Sequence, residues 1–564
     1  MSEPTRQVLD AMTPFAWLPL IAIVVPLLIA SLLALPRLRA LVAIVAAWAA
    51  APALLIAVSA PDTGLALPTV LLGSSLELDA TGRPLLFAVA VLWLTAGVLG
   101  RAGLHRAGTA LLYLLAMSGT FAMTLAGDLL LFLLGSTVSG YALYGLLGGL
   151  GGARMLVRLL VLSDLMLFEA LLLLVSAGIS LEFANLPQAM AGATDSGLLL
   201  VLLLLGFGAK AGLLGVHYWL APTISSARPE QRLALIAFVL TAGLLPWTRL
   251  LAPGAIDWPE AAAPLQWLAL ATAGFALALG LLQRRLGALA GHSVMAMSGL
   301  WLAHLGAAMS GSAVADPTAA RLATAIAQSG LALSALLLIV TPTALTAPTV
   351  LSRCRWRWLR AATAAVGALL LADAVLSALA PFAASSHPTP PAVALLALIC
   401  AAAGLLLGRT LRLTLSPAQS SEAAALPAEL LLILAAVLMA AGYSWGMDAP
   451  WLEGTAFLLG GLVGALFEPL ARRLSSRPLG ELGKPFVTLL AVTAQRIHRS
   501  LMPRLGHWRT QVRSHLVSVS STGASRCGLA TAEAALRVWR TAIVLVLTTA
   551  AIAALIVSIG ATAS

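Results

Sequence analysis

The sequence has few charged residues and almost no lysine. Charged residues make up 10% of its 564 positions, and just two of the 33 basic residues, Lys210 and Lys484, are lysines. The three cysteines (Cys354, Cys400 and Cys527) stand far apart and show no spacing typical of a metal or redox site. By contrast, 60% of the residues are hydrophobic and the mean hydropathy is +0.98. This balance excludes an ordinary soluble protein and indicates a chain that crosses a membrane many times.

Hydrophobic runs recur along the chain from residue 15 to residue 559. At roughly 20 residues for each bilayer crossing, they predict an all-α polytopic membrane protein with about 14–16 transmembrane helices. The candidate segments are 15–35, 40–60, 84–100, 107–125, 128–148, 156–177, 197–218, 233–252, 264–283, 287–309, 320–342, 359–381, 390–408, 426–445, 454–471 and 541–559.

The loops between these segments alternate in charge. Loops that carry arginine (37–39, 101–106, 154–158, 228–232, 284–285, 353–360 and 409–412) take turns with loops that carry aspartate or glutamate (62–79, 128, 182–195, 257–260, 316 and 448–453). The positive-inside rule then places the arginine loops in the cytoplasm and the N-terminus outside. The net charge of +11 is thereby explained by orientation in the bilayer, and we expect no nucleic-acid partner.

A strongly basic segment stands before the last hydrophobic run. Residues 472–540 carry eleven arginines and Lys484 against Glu481 and Glu533. Its stretch 484–502 places apolar residues on one helical face, as in an amphipathic helix lying laterally on the membrane or on a partner subunit. A solvated basic linker is the alternative, and both interpretations place the segment in the cytoplasm.

The stretch from Gly206 to Pro222, GFGAKAGLLGVHYWLAP, contains the most unusual charge of the chain. Lys210 lies well inside a hydrophobic segment, where an ammonium is energetically expensive and points to a functional site. Several glycines surround it and predict close packing or a break in the helix. A lysine that reaches the membrane interface with its long side chain is the alternative.

Other polar residues inside the hydrophobic segments are further proton-relay candidates. His217 follows Lys210 by seven residues and could pass protons to water, or could belong to an interfacial aromatic belt with Trp219. His292 has the same two interpretations. Among the acids, Asp164 could pair with Lys210, Glu169 stands nearest the middle of its segment, and Asp373 lies deep in another.

Asp164 and Glu169 are not expected to form one paired site. They point about 140° apart on a helix.

Two terminal or loop features also have simple interpretations. Arg249, at the end of its segment, is expected to reach the interface with its long side chain. The glycine-rich stretch 145–152 predicts a helix end and a turn rather than a phosphate loop, because no Lys-Ser/Thr follows it. We find no catalytic, metal or nucleotide constellation and predict no cofactor.

The sequence resembles the antiporter-like subunits shared by respiratory complex I, membrane-bound hydrogenases and multi-subunit cation/proton antiporters. The family pattern of Gly, Lys, His and x-Trp-Leu is matched by Gly206, Lys210, His217, Trp219 and Leu220. Further similarities are Thr241-Ala242-Gly243 with Arg249, Ala290 with His292-Ser293-Val294, Ser163-Asp164, and Asp79. The motifs cover roughly residues 70–345.

The chain also departs from the family pattern. The glutamate of the fifth span is replaced at about Thr137, although Tyr144 keeps its place. A lysine of the family falls at Leu286, and its distal lysine or glutamate falls at Gln328. The resemblance therefore implies the scaffold and the Lys–His element but not a complete proton channel. We hypothesise that Asp164 or Glu169 partners Lys210 in place of the missing glutamate.

The resemblance also implies a domain organisation with two inverted five-helix repeats, each containing a broken helix. The predicted regions are 1–106 (N-terminal helices), 107–252 (first repeat), 264–408 (second repeat), 409–471 (C-terminal helices), 472–540 (basic cytoplasmic segment) and 541–564 (last helix).

The implied function is a proton- or cation-translocating subunit of a larger complex in a bacterial inner membrane. Other membrane and cytoplasmic subunits, the lipid bilayer, and protons or monovalent cations are the expected partners. With no catalytic site of its own, the chain could still be a subunit of a quinone oxidoreductase. One alternative is a degenerate family member that acts as a membrane scaffold for a soluble catalytic partner. Another is the membrane subunit of a proton-gradient-driven inorganic-carbon uptake complex.

Overall fold

The computed structural model describes residues 15–68, 73–148, 152–193, 195–251, 259–283, 286–309 and 319–340, and all structural statements refer to these. The predicted spans from 359 onward, Asp373, the basic segment 472–540 and the last helix lie outside the described residues.

The described chain is almost entirely helical. In bilayers a helix satisfies every backbone polar group within one segment, which is why long apolar runs adopt it. The helices are α1 (Leu18–Ser31), α2 (Arg39–Val45), α3 (Ala51–Ser59), α4 (Gly82–Leu99), α5 (Arg101–Leu104), α6 (Ala107–Leu125), α7 (Leu129–Leu146), α8 (Ala153–Ser176), α9 (Leu186–Ala191), α10 (Ser196–Ala211), α11 (Leu220–Ser226), α12 (Pro229–Phe238), α13 (Leu245–Leu250), α14 (Pro259–Leu282), α15 (Leu286–Met309) and α16 (Ala319–Val340). Short 3₁₀ turns at Leu32–Ala34, Pro36–Leu38 and Ala46–Trp48 join α1, α2 and α3.

Seven helical segments of the described region are long and apolar enough to cross a membrane, and three shorter apolar helices accompany them. The first eleven predicted spans, from 15–35 to 320–342, each coincide with helical structure. The protein is therefore a multi-pass helical membrane protein, as the hydropathy pattern predicts.

The prediction of a purely α-helical fold misses one small β-sheet. Strands β1 (Thr63–Leu67) and β2 (Ser74–Leu78) form an antiparallel hairpin between α3 and α4, with Thr63 opposite Leu78. Its apolar side chains Leu65, Leu67, Leu76 and Leu78 are buried. They alternate along the strands, so that one face of the hairpin packs on the helices. Within a long loop between two strongly apolar spans, this short alternation is a weak signal.

Asp128 joins this hairpin to the start of α7. Its Oδ1 accepts the Leu131 N–H at 2.8 Å, which caps the helix, and its Oδ2 accepts the Ser75 N–H at 3.0 Å. A buried carboxylate that accepts two backbone donors satisfies both the helix end and the strand edge. The hairpin is thus fixed to one end of the helix bundle.

The span Pro229–Leu250, which comprises α12 and α13, lies at the centre of the described bundle and is buried from Leu233 to Leu250. Between α12 and α13 the chain forms a π-helical segment, Val239–Leu244. This segment packs against α10, while α12 packs against α4. The last described helices, α14 and α15, pack closely on each other, and α15 also packs against α11. The predicted site stretch, which runs from α10 to α11, therefore lies between the central span and the α14–α15 pair.

Candidate functional site: a buried lysine at a broken helix

The helix that carries Lys210 breaks directly after it. Helix α10 ends at Ala211, and Gly212 adopts a left-handed conformation with φ of +76°. The N–H groups of Gly212 and Leu213 both donate to the carbonyl of Gly208, which closes the helix end. Gly215 is also left-handed, with φ of +93°, and the helical path resumes at Leu220. The predicted break in the segment 197–218 is therefore present.

Two side chains support the broken segment where backbone bonds are missing. Because the Leu213 N–H bonds to Gly208, the carbonyl of Ala209 loses its usual helical donor. The buried Trp219 indole supplies one, with 2.7 Å between Nε1 and the Ala209 oxygen. Thr272 of α14 accepts the Leu214 N–H at 3.0 Å. Trp219 is thus a structural element of the break, and its interpretation as part of an interfacial aromatic belt is wrong.

Lys210 is held by two partners in the protein interior. Its Nζ lies 2.8 Å from Asp164 Oδ1 and 2.7 Å from Ser136 Oγ. The lysine side chain is 1% exposed and that of Asp164 is 21% exposed. The alternative in which Lys210 reaches the membrane interface is therefore wrong. Three helices, α7, α8 and α10, each contribute one group to this site.

Asp164 has further polar neighbours on α7. Thr137 Oγ1 lies 3.4 Å from Asp164 Oδ2, and the Tyr141 hydroxyl lies close enough to this carboxylate to interact with it. Thr137 stands where the family resemblance places a glutamate. The carboxylate that faces the lysine therefore comes from α8, while α7 contributes hydroxyl groups.

Helix α8 is fixed beside α10 by one more polar contact. Ser163 Oγ donates to the Gly206 carbonyl at 2.8 Å. Gly206 allows this approach, because a Cβ there would lie 2.5 Å from the Leu167 side chain. The motif glycine and the Ser163-Asp164 pair are therefore parts of one helix contact.

The other sequence-predicted residues are not part of this cluster. Glu169 lies on the exposed face of α8 and makes no contact with Lys210, so the hypothesis that it partners the lysine is wrong. His217 lies in the broken segment, between the rings of Tyr218 and Phe275 at centroid distances of 4.4 and 5.0 Å. Its Nδ1 is buried without a hydrogen-bond partner. His292 of α15 is close enough to interact electrostatically with His217, and its Nδ1 lies 2.7 Å from the Ala288 carbonyl oxygen.

Sequence reasoning missed Ser136 and Tyr141. Both stand in the same span as Thr137, and together with Ser139 they form a cluster of hydroxyl groups in an otherwise apolar helix. That cluster was the available signal. Spacing alone does not show that these hydroxyl groups face a carboxylate from another helix.

The π-helical segment positions the central span against Lys210. A Cβ on Gly243 would lie 2.7 Å from the Cα of Ala211 and 3.0 Å from the carbonyl carbon of Lys210. The two backbones are therefore in direct contact at the break. Single π-helical turns inside α-helices occur frequently at functional sites, and this one lies beside the buried lysine.

Arg249 closes the central span near the hairpin, and its side chain is buried in the protein among the ends of other elements. Its Nη2 lies 3.2 Å from Asp79 Oδ1 and 3.1 Å from the Thr124 carbonyl oxygen, and its Nη1 donates to the Ala126 carbonyl. The guanidinium also lies 5.3 Å from the centre of the Phe183 ring. Arg249 thus ties α13 to the end of α6 and to the loop before α4.

Glu77 of strand β2 belongs to the same region, outside the membrane-spanning segments. Burial raises the pKa of its carboxyl, and Arg249 opposes this shift. The nearby carboxylates of Asp79, Glu182 and Asp128 also raise the pKa of Glu77. The hairpin end of the bundle therefore carries a group whose charge is unfavourable in the folded protein.

Fold and site together define a multi-pass helical membrane protein with a Lys–Asp pair at a broken helix, whose lysine is buried. Residues 126–343 match the family described as "NADH:quinone oxidoreductase/Mrp antiporter, TM". This part of the chain is an antiporter-like transmembrane domain, and the family resemblance inferred from the Lys210, His217 and Trp219 motif is confirmed.

Solved structures share this fold. A chain in the structure of the Mrp complex from Dietzia sp. DQ12-45-1b aligns with a TM-score of 0.68 and 20% identity, over 93% of this chain and 63% of that one. This protein thus spans less than two thirds of that chain's length. A chain of respiratory complex I from Thermus thermophilus, solved with bound aureothin, aligns with a TM-score of 0.57 and 20% identity, over 76% of this chain and 98% of that one. No curated protein sequence matches the chain significantly.

Proposed function

We propose that this protein is a proton-translocating, antiporter-like subunit of a multi-subunit membrane complex of the complex I/Mrp type. The single observation that carries the proposal is the placement of Lys210, which is fully buried, paired with Asp164 and located at a helix break. An ionised pair in a membrane interior is expensive and does not add stability by itself. Such a pair is expected, however, at a site whose function requires it to gain and lose charge.

The geometry supports a simple proton cycle. Protonated Lys210 is neutralised by Asp164 at 2.8 Å. When the ammonium gives up its proton, the neutral amine can accept a hydrogen bond from the Ser136 hydroxyl, whose oxygen lies 2.7 Å away. The Thr137 and Tyr141 hydroxyls then donate to the Asp164 carboxylate, which keeps its charge until the next proton arrives. A proton suits this site better than a metal cation, because an ammonium already occupies the carboxylate.

His217 is the proposed next group on the path. It lies in the irregular segment directly after Lys210, and its buried Nδ1 has no hydrogen-bond partner. A neutral imidazole with a free ring nitrogen can accept a proton and pass it on. His292 follows within electrostatic reach on α15. The proposed direction is from the α7–α8 pair through the break toward the α14–α15 pair.

The finer architecture belongs to the same proposal. It comprises two inverted five-helix repeats, with arginine loops in the cytoplasm of a bacterium and partner subunits in its inner membrane. The break at Gly212 lies in the first repeat, and its counterpart in the second repeat would fall outside the described residues.

The test is proton transport by the purified whole complex in proteoliposomes, followed with a pH-sensitive dye. Lys210→Arg keeps the charge but cannot release its proton near neutral pH. We expect Lys210→Arg and Lys210→Ala to lower transport at least tenfold while the complex still assembles. Lys484→Ala, which changes the other lysine of the chain, is the matched control and should transport normally. Unchanged transport by Lys210→Ala would overturn the proposal.

A membrane scaffold for a soluble catalytic partner is the second candidate. One observation favours it: within the described residues of α14, α15 and α16, no lysine or carboxylate stands in the middle of a helix, and Gln328 occupies the family's distal charged position. A scaffold predicts that assembled Lys210 variants keep the full activity of the partner. For the inorganic-carbon alternative, a co-purifying zinc-containing subunit would be the distinguishing result.

A further inference from the structure

Helix α8 presents an exposed apolar stripe inside the membrane. Its members are Val161, Leu165, Phe168, Leu172 and Val175, which repeat at intervals of three and four residues and therefore share one helical face. Leu165 is 58% exposed and Leu172 is 46% exposed. Exposed leucines are ordinary on a lipid-facing helix. The stripe alone thus says nothing about what covers it.

Glu169 makes this face unusual. It is exposed and stands between Leu165 and Leu172 along the helix, on the edge of the stripe. Within the described residues no cation or hydrogen-bond donor is paired with it, whereas Asp164, five residues earlier, is paired with Lys210. The two carboxylates of α8 therefore differ, because Asp164 has a charged partner within the described residues and Glu169 has none there.

Glu169 lies too far from the end of α8 for its carboxylate to reach water easily. Seven residues separate it from Ser176, the last residue of α8, which corresponds to about 10 Å along the helix axis. Its side chain is short and leans toward the helix N-terminus, away from the nearer end of the span. An ionised acid that faces hydrocarbon at such a depth is energetically costly unless it is paired.

We propose that this face is covered by a transmembrane helix of a different subunit, and that this helix places a basic side chain opposite Glu169. Charge complementarity selects this occupant, because a basic partner removes the cost of the isolated carboxylate while its apolar neighbours pack on the stripe. The inference rests on the assembly that the proposed function assumes, but it is independent of proton transport.

A second copy of this chain fits the face poorly. In the described spans, Lys210 and Arg249 are buried and already paired with Asp164 and Asp79. The exposed arginines of the described region stand at or near the starts of helices, as Arg154 and Arg158 do on α8. None of these arginines could reach the depth of Glu169, because each one stands close to the end of its helix. Within the described residues no basic group of a second copy can reach Glu169, which favours a basic group from a different protein.

The first experiment is site-specific photo-crosslinking in native membranes with the full chain and all its partners. A benzophenone amino acid replaces Leu165 or Leu172, and Leu55 of α3, which is 66% exposed and has no carboxylate beside it on its helix, serves as the matched control. We expect Leu165 and Leu172 to crosslink to one transmembrane segment of another subunit that contains lysine, arginine or histidine. Crosslinks to lipid alone, to residues 341–564 of this chain or to a second copy would overturn the proposal, as would a partner helix without a basic residue.

The second experiment tests the charge. Glu169→Arg should lower co-purification of the crosslinked subunit at least tenfold, and changing the partner's basic residue to glutamate should restore it. Glu169→Gln, which keeps the size of the side chain, should have a smaller effect. An unchanged yield with Glu169→Arg would refute the pairing. If transport depends on Lys210 but Leu165 and Leu172 crosslink to lipid only, this inference alone is overturned. If they crosslink to a partner helix with a basic residue but transport does not depend on Lys210, only the proposed transport function is overturned.

Discussion

The Lys210–Asp164 pair makes a quantitative prediction because its two members are buried to different degrees. Consider Lys210→Met, Asp164→Asn and the double variant. Methionine keeps the unbranched shape of lysine without its charge. Asparagine keeps the shape of aspartate and can still accept hydrogen bonds from the hydroxyls of Thr137 and Tyr141.

The structure sets the expected order of stability losses. Asp164→Asn leaves an ammonium that is 1% exposed without a counter-charge, and removing one member of a buried pair costs about 3–5 kcal/mol. Lys210→Met leaves a carboxylate that is 21% exposed and still has two hydroxyl donors, so we expect a smaller loss of about 1–3 kcal/mol. The double variant removes both charges, and such replacements are often neutral.

The double variant should therefore be more stable than Asp164→Asn. If the double variant is neutral, the corresponding coupling energy is about 4–8 kcal/mol, which is larger than is usual for residues in direct contact. The assay is unfolding of the full-length chain in mild detergent by titration with SDS, followed by the fluorescence of its 14 tryptophans. If the two single losses simply add in the double variant, the pair is not coupled. If Lys210→Met is the more damaging single change, the reasoning from burial is wrong.

Two further predictions concern other parts of the structure. Gly243→Ala would place a Cβ 2.7 Å from the Ala211 Cα; because a backbone cannot yield as a side chain does, we expect a loss of about 1–3 kcal/mol in SDS unfolding. Gly274→Ala, where no atom lies within 4 Å, is the control, and equal stability of the two variants would contradict the close backbone contact. The raised pKa of Glu77 means that the folded protein binds the carboxyl proton more tightly than the unfolded chain does. The contribution of Glu77 to stability is therefore present below about pH 4.5 and is lost as the pH rises through the pKa of the folded state. Glu77→Gln should therefore gain stability relative to the wild type between pH 4.5 and pH 7.5 in thermal unfolding, and a difference that does not change with pH would refute the assignment.

Much of the helical framework could be predicted from the sequence, because bilayer thickness constrains it directly. A span needs about 20 apolar residues, and the eleven segments predicted within the described region all coincide with helical structure, of which seven helical segments are long and apolar enough to cross a membrane. Lys210 could be identified for the same reason, since a basic residue inside a hydrophobic segment is rare. The glycines around it predicted the break, because Gly212 and Gly215 adopt backbone conformations that other residues avoid.

The β-hairpin and the π-helical segment were not predictable in the same way. The strands are five residues long and depend on contacts with helix ends, such as the bond from Ser75 to Asp128. The extra residue of a π-helical turn leaves no mark in hydrophobic periodicity. Both features are determined by packing between distant parts of the chain.

By itself, the sequence determined the membrane class, the helical spans, the helix break and the presence of an isolated lysine. It left open whether Asp164 or Glu169 faces that lysine, because helical periodicity gives the angle between two side chains but not the direction in which the helix is turned. The tertiary structure decided this through the rotation of α8, which is fixed by Ser163 on Gly206. That rotation directs Asp164 inward to Lys210, Ser136 and Thr137, and it leaves Glu169 facing outward from the bundle.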